Sequence, residues 1–427
     1  MSGDSASDRV SGSMSGGMSG GMSGGMSGTL AASAAGGLRA ELLAGIQRHQ
    51  AAFAAAGDEA ESLRTLPPDA VATVRSLGLF WLKTPASLGG TPLPPLEFCD
   101  VIEELAYTDV STAWAAMIGA GCCGLVGGWL PEAGARRVFT PTSAGLPVVA
   151  GQLAPRGTGK QVAGGYVVTG RWGFSSGILH ADWLLGAFKT DAALGDGAAS
   201  ADGGTGFGRM VVFAVPKSEA EVIDNWYVAG LQGTGSLDFR VDEVFVPEEM
   251  TYDLGIPAVR GGDLFRLGMP AFVSNEVPPL CVGLARRALD DMTELALKTA
   301  RFAGGPTVGE RAVFHKELGR AETKLRAARL VHREAMADCW EMACAGDPPS
   351  EELQLAVTAA SVFAVETAAE VVSDLFRYGG GRVLALSNPM QRHLRDALAA
   401  RQHLALSEEG YEAAGRYRLE SAKSRRS

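Results

Sequence analysis

The sequence lacks the motifs by which several large enzyme classes are recognised. It has no G-x-G-x-x-G after a first strand, so no Rossmann site for a nicotinamide is visible, and it has no P-loop. It also has no H-E-x-x-H and no Cys/His spacing suited to a metal. Nicotinamide, nucleotide and metal chemistry are therefore not predicted from motifs, and no metal-binding residue is expected.

Other features are equally scarce. The net charge is −10 and nothing concentrates Lys and Arg on one face, which argues against a nucleic-acid partner. The six cysteines form no C-x-x-C pair, which is typical of reduced thiols in a cytoplasmic protein. No run of about 18 apolar residues predicts a membrane helix, and the N-terminus lacks a basic region followed by an apolar one, so secretion is not expected.

The N-terminus carries a low-complexity repeat. In "SGSMSGGMSGGMSGGMSGT" a methionine recurs every four residues in a Gly/Ser background. Such a composition cannot bury enough apolar surface to offset its ordering entropy. We predict a disordered tail over residues 1–35; metal binding by the thioethers is the less favoured interpretation.

The hydrophobic period then changes twice along the chain. Apolar residues at three- and four-residue spacing predict an N-terminal helical domain over 36–146. Short β-branched and aromatic runs bounded by Gly, Pro and Asp, such as "GYVVTGRWGF" and "RMVVFAVPK", predict a β-barrel-like domain over 147–255. Long helical runs return over 256–427. The predicted class is α+β, with a C-terminal four-helix bundle.

Four stretches in this order resemble the acyl-CoA dehydrogenase superfamily. They are "LFWLKTPASLGGTPLPPLEFCDVIEELAYTDVSTAW", "GYVVTGRWGFSSGILHADWLL", "LQGTGSLDFRVDEVFVPEEM" and "LFRYGGGRVLALSNPMQRHLRDALAARQH". Within the superfamily the chain looks more like the flavin-dependent monooxygenases of two-component systems, such as dibenzothiophene monooxygenase and the oxygenase component of 4-hydroxyphenylacetate hydroxylase. The resemblance implies an acyl-CoA dehydrogenase-like fold.

The segment "RDALAARQHLAL" carries the distinction between the two activities. Common acyl-CoA dehydrogenases place a glutamate base eight residues after the Asp of an Arg-Asp pair, and here the position eight after Asp396 is Leu404. Leucine cannot take a proton, whereas His403, one residue earlier, resembles the histidine of the monooxygenases. We predict an amphipathic helix that presents His403 as a catalytic residue, although a lone helical histidine is more often structural. Glu276 is the alternative position for a dehydrogenase base.

The other predicted site residues come from the resemblance. In "WGFSSG", Phe174 and Ser176 are implied at the flavin ring, the Ser176 hydroxyl near N5 and O4, while Ser175 is expected to point away. Arginine presents a bidentate fork to phosphate, so basic residues are implied at a flavin phosphate. The additional cofactor-binding candidates are Gln152, Arg311, Phe314, Arg377 and Arg382. His393 and His315 are expected at the surface, and His180 is expected to form a hydrogen bond with backbone.

The implied reaction uses reduced FMN or FAD and O2, through a flavin C4a-hydroperoxide, to hydroxylate an aromatic or polycyclic small molecule. Because no nicotinamide site is visible, a separate NAD(P)H:flavin reductase is implied as a partner. The resemblance further suggests a homotetramer. Two alternatives stay open: an acyl-CoA dehydrogenase-like FAD oxidoreductase, and a non-catalytic member that acts as a binding subunit.

Overall fold

The N-terminal part of the protein is helical. The computed structural model describes the backbone of residues 24–190, 210–300 and 302–426, with side chains from residue 36. Most of the predicted tail, residues 1–23, lies outside the described residues, but the first helix begins at Gly24, inside the predicted tail. Its alanine-rich stretch "LAASAA" has a high helix propensity. The prediction of a tail rested on the Gly/Ser-rich residues before it and did not take this stretch into account. The helices are α1 Gly24–Arg48, α2 Gln50–Leu63, α3 Pro68–Ser76, α4 Pro95–Thr108, α5 Val110–Trp129 and α6 Glu132–Val138.

Helix α5 lies at the centre of the molecule. It begins at Asp109, whose side chain accepts a hydrogen bond from Thr112 N at 2.7 Å and so caps the helix. Small residues allow it to pack on all sides, against the sheet and against helices of both helical regions. By length and composition, α5 and the helix Glu351–Phe376 would suit a membrane span, but 94% and 61% of their apolar windows are buried in the chain. Burial within the protein accounts for their apolar character.

The central region is one mixed sheet of seven described strands. The strands are β1 Val149–Val162, β2 Gly165–Trp172, β3 Trp183–Lys189, β4 Met210–Pro216, β5 Glu221–Ile223, β6 Asp238–Pro247 and β7 Thr251–Asp253. Their order is β5-β6-β2-β1-β3-β4-β7, antiparallel throughout except for the parallel pair β1–β3. Among the described strands no pairing joins β5 to β7, so the sheet is open and differs from the predicted barrel. Both edges are three-residue strands, and each pairs with one neighbour only, β5 with β6 and β7 with β4.

The C-terminal region is helical again. Its helices are α7 Asp263–Arg266, α8 Ala271–Ser274, α9 Val277–Lys298, α10 Ala312–Ala345, α11 Glu351–Phe376, α12 Pro389–Ala400 and α13 Glu409–Ser424. Helices α9 to α12 pack on one another as a four-helix bundle, and α9 also packs on α4 and α5. The predicted order of helical domain, β domain and helical bundle is confirmed.

Candidate active site

Trp114 of α5 brings the two principal predicted residues together. Its indole Nε1 donates a hydrogen bond to Ser176 Oγ at 2.9 Å. The edge of the same ring meets the His403 imidazole, with ring centroids 5.9 Å apart. Ser176 and His403, distant in the sequence, therefore both contact one buried indole.

Ser176 lies in the turn that follows β2. Gly177, with φ of 76°, allows the chain to reverse there, and its N–H donates to Thr234 O at 2.9 Å. Ser175 N donates to Leu237 O at 3.1 Å, so the segment before β6 holds the turn in place. The strand alternation expected for the two serines does not apply, because β2 ends at Trp172 and both serine side chains are buried.

His403 does not lie on a helix, contrary to the prediction. Helix α12 ends at Ala400, and His403 has extended backbone angles before a 3₁₀ turn over Leu404–Leu406. Beyond the end of the helix, the imidazole Nδ1 accepts from Ala405 N at 3.4 Å and so caps the next turn. Burial lowers the pKa of His403 below its usual value, which favours the neutral imidazole.

The Arg395–Asp396 pair of α12 anchors the loop beneath Ser176. Arg395 donates to Ala229 O at 2.6 Å, and Asp396 Oδ1 accepts from Leu231 N at 2.6 Å. A Cβ at Gly230 would come within 2.2 Å of Arg395 O, so only glycine permits this close approach. Burial raises the pKa of Asp396 to about 7, although the Leu231 N–H favours its ionised form. The pair therefore fixes the loop that leads to Thr234 and Ser236.

Thr234 and Ser236 extend the site and were not predicted. The Ser236 hydroxyl lies 2.7 Å from Ser176 Oγ and 2.7 Å from Thr234 Oγ1. Together with Trp114 they form a continuous buried chain of polar groups. The segments "STAW", which contains Trp114, and "GTGS", which contains Thr234 and Ser236, belong to the stretches that carry the family resemblance. No local pattern predicts that both segments contact Ser176.

The alternative base, Glu276, is held by a buried lysine. Lys83 Nζ donates to Glu276 Oε1 at 2.6 Å and to Phe272 O at 2.7 Å. The lysine is fully buried, and Glu276 is 7% exposed. Burial raises the pKa of Glu276 and lowers that of Lys83, while their pairing opposes both shifts. Glu276 is thus engaged in an ion pair, and no hydrogen bond of the described residues joins it to Ser176 or His403.

The predicted phosphate-binding residues gather elsewhere. Phe314 is buried against Tyr378, with ring centroids 5.5 Å apart, which places the start of α10 beside the glycine-rich segment 379–381. Arg311, half-buried before α10, has no hydrogen bond or ion pair from its side chain within the described residues. Arg382 donates to Ala300 O at 3.4 Å, and Arg377 pairs with Asp374 at 2.7 Å. We call Arg311, Phe314, Arg377, Tyr378 and Arg382 the cluster around Tyr378, since they lie at the start of α10 and in the segment after α11, and no hydrogen bond among the described residues joins them to Ser176.

Gln152 and Phe174 occupy different settings. The Gln152 side chain accepts from Ala154 N at 2.8 Å within β1, and no hydrogen bond among the described residues joins it to Ser176. Phe174 has a φ of 59° and is 71% exposed, with its ring edge toward Trp226. An exposed phenylalanine next to Ser176 leaves apolar aromatic surface uncovered, which suits a flat aromatic ligand.

Two of the other histidines differ from their predictions. His393 is buried and pairs with Asp291, Nε2 to Oδ2 at 2.7 Å, because its face of α12 turns toward α9 and not toward solvent. The centroids of the His180 and Phe80 rings lie 5.2 Å apart. The buried Nδ1 of His180 has no hydrogen-bond partner among the described residues, whereas a bond to backbone was expected. Burial lowers the pKa of His180 to about 4. His315 is exposed, as predicted, with Nε2 2.5 Å from Gly309 O.

The comparisons with known proteins agree with this architecture. The acyl-CoA dehydrogenase N-terminal domain profile matches residues 37–134, and the C-terminal domain profile matches residues 278–408. The chain therefore belongs to the acyl-CoA dehydrogenase family. It is 28% identical to indole-3-acetate monooxygenase of Pseudomonas putida over 84% of this chain and 88% of the relative.

Further relatives place the chain within the family. It is 29% identical to the oxygenase subunit HsaA, a flavin-dependent monooxygenase of Rhodococcus jostii, over 81% of this chain and 90% of the relative. The structure of XiaF from Streptomyces sp. in complex with FADH2 and glycerol superposes with a TM-score of 0.80 and 26% identity, covering 90% of this chain and 96% of that one. The predicted class, a flavin-dependent monooxygenase with this fold, is confirmed.

Proposed function

We propose that the protein is the oxygenase component of a two-component system. In this function it takes reduced FMN or FAD from a separate NAD(P)H:flavin reductase and uses O2 to hydroxylate an aromatic or polycyclic small molecule. Some relatives are named as an oxygenase subunit or oxygenase component, and one is named for an aromatic acid. We place the enzyme in the cytoplasm, as a homotetramer built through its C-terminal helices.

The observation that carries the proposal is the Ser176–Trp114–His403 arrangement. A hydroxyl and an imidazole face one buried indole, and the neighbouring Phe174 and Leu404 side chains are 71% and 76% exposed. This combination of uncovered apolar surface with two polar groups fits a planar heteroaromatic ring. When bound there, reduced flavin would supply the two electrons that activate O2.

His403 is the residue to which we assign proton handling. Because Nδ1 accepts from the Ala405 N–H, the proton of the neutral imidazole resides on Nε2, where it can be donated. The lowered pKa favours the neutral ring, in which Nε2–H is the donor that faces the reacting group and Nδ1 stays on the Ala405 N–H. Trp114 positions the ring and excludes water from one of its sides.

The cluster around Tyr378 is our assignment for the flavin phosphate. Arg311 offers an uncommitted guanidinium at the start of α10, and Arg382 lies near the segment that precedes it. No hydrogen bond among the described residues joins this cluster to Ser176, and in our proposal the cluster of one subunit holds the phosphate of a flavin whose ring lies at Ser176 of a neighbouring subunit. The proposed homotetramer provides such a boundary.

The structure gives no support to the dehydrogenase alternative. Leu404 is exposed and has no group that could take up a proton, and Glu276 is paired with Lys83. A base for an acyl α-carbon would have to be a free carboxylate beside Ser176, and none of the described carboxylates makes a hydrogen bond to Ser176 or His403.

The test is incorporation of oxygen. We would mix the protein with anaerobically reduced FMN or FAD, add 18O2 and a panel of indoles, phenols and polycyclic phenols, and measure labelled product by mass spectrometry. We expect one labelled oxygen per product and a loss of about 100-fold or more in His403→Ala, a typical contribution of a general acid or base. His49→Ala, a half-buried histidine between α1 and α2 that contacts the Phe53 ring and none of the proposed site residues, should retain full activity. Oxidation of reduced flavin at its free rate, with no labelled product from any substrate, would refute the proposal.

A further inference from the structure

Four buried side chains form a hydrogen-bonded chain that runs from Thr234 through Ser236 and Ser176 to Trp114. Thr234 Oγ1 lies 2.8 Å from Leu231 O and 2.7 Å from Ser236 Oγ. Ser176 Oγ lies 2.7 Å from Ser236 Oγ and 2.9 Å from Trp114 Nε1. The exposed fractions of Thr234, Ser236 and Ser176 are 1%, 3% and 4%. With so little water contact, each proton in the chain must be placed on a protein partner.

The direction of each hydrogen bond follows from counting protons. A carbonyl oxygen only accepts, so Thr234 donates its single proton to Leu231 O and must accept from Ser236. Ser236 has then used its proton and must accept from Ser176. All hydrogen bonds of the chain therefore run in one direction, and Ser176 donates its only hydroxyl proton to Ser236.

The Ser176 oxygen is left with acceptor capacity only. A hydroxyl oxygen has two lone pairs, and the indole N–H of Trp114, which can only donate, uses one of them. The second lone pair remains available. Any polar partner that approaches Ser176 from the ligand side must therefore bring its own hydrogen.

We propose that Thr234 and Ser236 are positioning residues that make Ser176 a hydrogen-bond acceptor, so that the site distinguishes reduced from oxidised flavin. The reduced isoalloxazine carries a hydrogen on N5, whereas the oxidised ring has an unprotonated acceptor nitrogen there. The Ser176 oxygen can accept a hydrogen bond from the N5 hydrogen of reduced flavin. Opposite oxidised flavin, a lone pair of Ser176 would face the lone pair of N5 with no hydrogen between them. This inference rests on the proposed function, because it requires flavin at Ser176.

The discriminating variant is Thr234→Val, which leaves Ser176 and its two partners in place. Without Thr234 Oγ1, Ser236 can turn its proton toward Ser176, and Ser176 can then donate toward the ligand. Ser236→Ala frees the Ser176 proton directly and provides a second variant if the first fails to fold. Thr234→Ser keeps the hydroxyl and should preserve the wild-type behaviour. Thr251→Val is the matched control, since Thr251 is a buried threonine that donates to Glu248 O at 2.9 Å in another part of the sheet.

The measurement is the dissociation constant for oxidised and for anaerobically reduced flavin, by titration calorimetry, with the midpoint potential of the bound flavin as a second readout. We expect the wild type to bind the reduced form more tightly. The ratio of the two constants should fall about tenfold in Thr234→Val and Ser236→Ala, which corresponds to about 30 mV for a two-electron couple. The ratio should be unchanged in Thr234→Ser and Thr251→Val.

Two outcomes would overturn the inference, and they are separable. If the wild type binds reduced flavin but both substituted proteins keep its ratio, the hydroxyl chain does not control Ser176, and the proposed function survives. If the wild type binds neither form of flavin, the proposed function fails, and the inference fails with it.

Discussion

The buried pair of Lys83 and Glu276 allows a quantitative prediction. Lys83→Met keeps the length of the side chain but removes its charge, leaving Glu276 without its partner beneath α5. A Cβ at Gly121 would come within 2.6 Å of Glu276 Oε1, so the helix is already in close contact with the carboxylate and leaves little room for a water molecule. Breaking one side of such a pair typically costs about 3–5 kcal/mol.

A double substitution separates the charge effect from the packing effect. In Lys83→Met/Glu276→Met no unpaired charge is left, so most of the loss should be recovered. A residual loss of about 1–3 kcal/mol should persist, because Phe272 O loses the lysine as its donor. The lysine also lies over the Phe98 and Phe272 rings at 4.9 and 4.6 Å, contacts that Met replaces only in part.

The assay is urea denaturation followed by circular dichroism at several pH values. In Lys83→Met the loss should shrink as the pH falls, because burial already raises the pKa of Glu276 and a protonated carboxyl needs no counter-charge. Lys298→Met is the matched control: its pair with Glu294 is exposed, and its removal should change the free energy of unfolding by less than about 1 kcal/mol. If Lys83→Met were as stable as the wild type at pH 8, the buried ion pair would not exist, and Glu276 would again be a candidate base.

Two further predictions concern the site. The pKa of Asp396 is raised to about 7, so the folded state holds this proton more tightly than the unfolded chain, and the stability it contributes is lost as the pH rises from about 4 to 7. Relative to Asp396→Asn, whose side-chain oxygen can still accept from Leu231 N, the wild type should lose about 1.4 kcal/mol per pH unit in that range by urea denaturation; parallel curves for the two proteins would refute this. Trp114→Phe keeps an aromatic ring near His403 but removes the donor to Ser176, and should lower the free energy of unfolding by about 1–3 kcal/mol; unchanged stability would show that this hydrogen bond contributes nothing.

The predicted elements differ in how far local pattern could determine them. The change from helical to strand period near residue 147 reflects side chains that alternate over a few residues, and the structure places the first strand at Val149. The end of α12 was missed because His403 adopts an extended backbone and its ring caps the following turn, and the local pattern shows neither feature. The pattern of "RDALAARQHLAL" alone continues as a helix, since nothing in its spacing signals that capping contact.

The site residues show the same division. Leu404, at the position eight residues after Asp396, could be read directly from the sequence and argued against a dehydrogenase. Trp114 could not be recognised in this way, because its donor contact is to a residue 62 positions away. His393 also appeared to lie on a charged surface, and only the packing of α12 against α9 brings Asp291 to it.

By itself the sequence determined the order of the three regions, because the period of apolar residues is a local property. The family and the absence of its glutamate came from the resemblance of whole stretches, which is also legible in the sequence alone. Only the tertiary structure determined which polar side chains are hydrogen-bonded to one another. The chain from Thr234 through Ser236 to Ser176 joins side chains up to 60 residues apart, and the direction of its hydrogen bonds depends on the Leu231 carbonyl at its far end. Hydrogen bonds act over about 3 Å, so their partners are specified only once the fold has brought distant segments together.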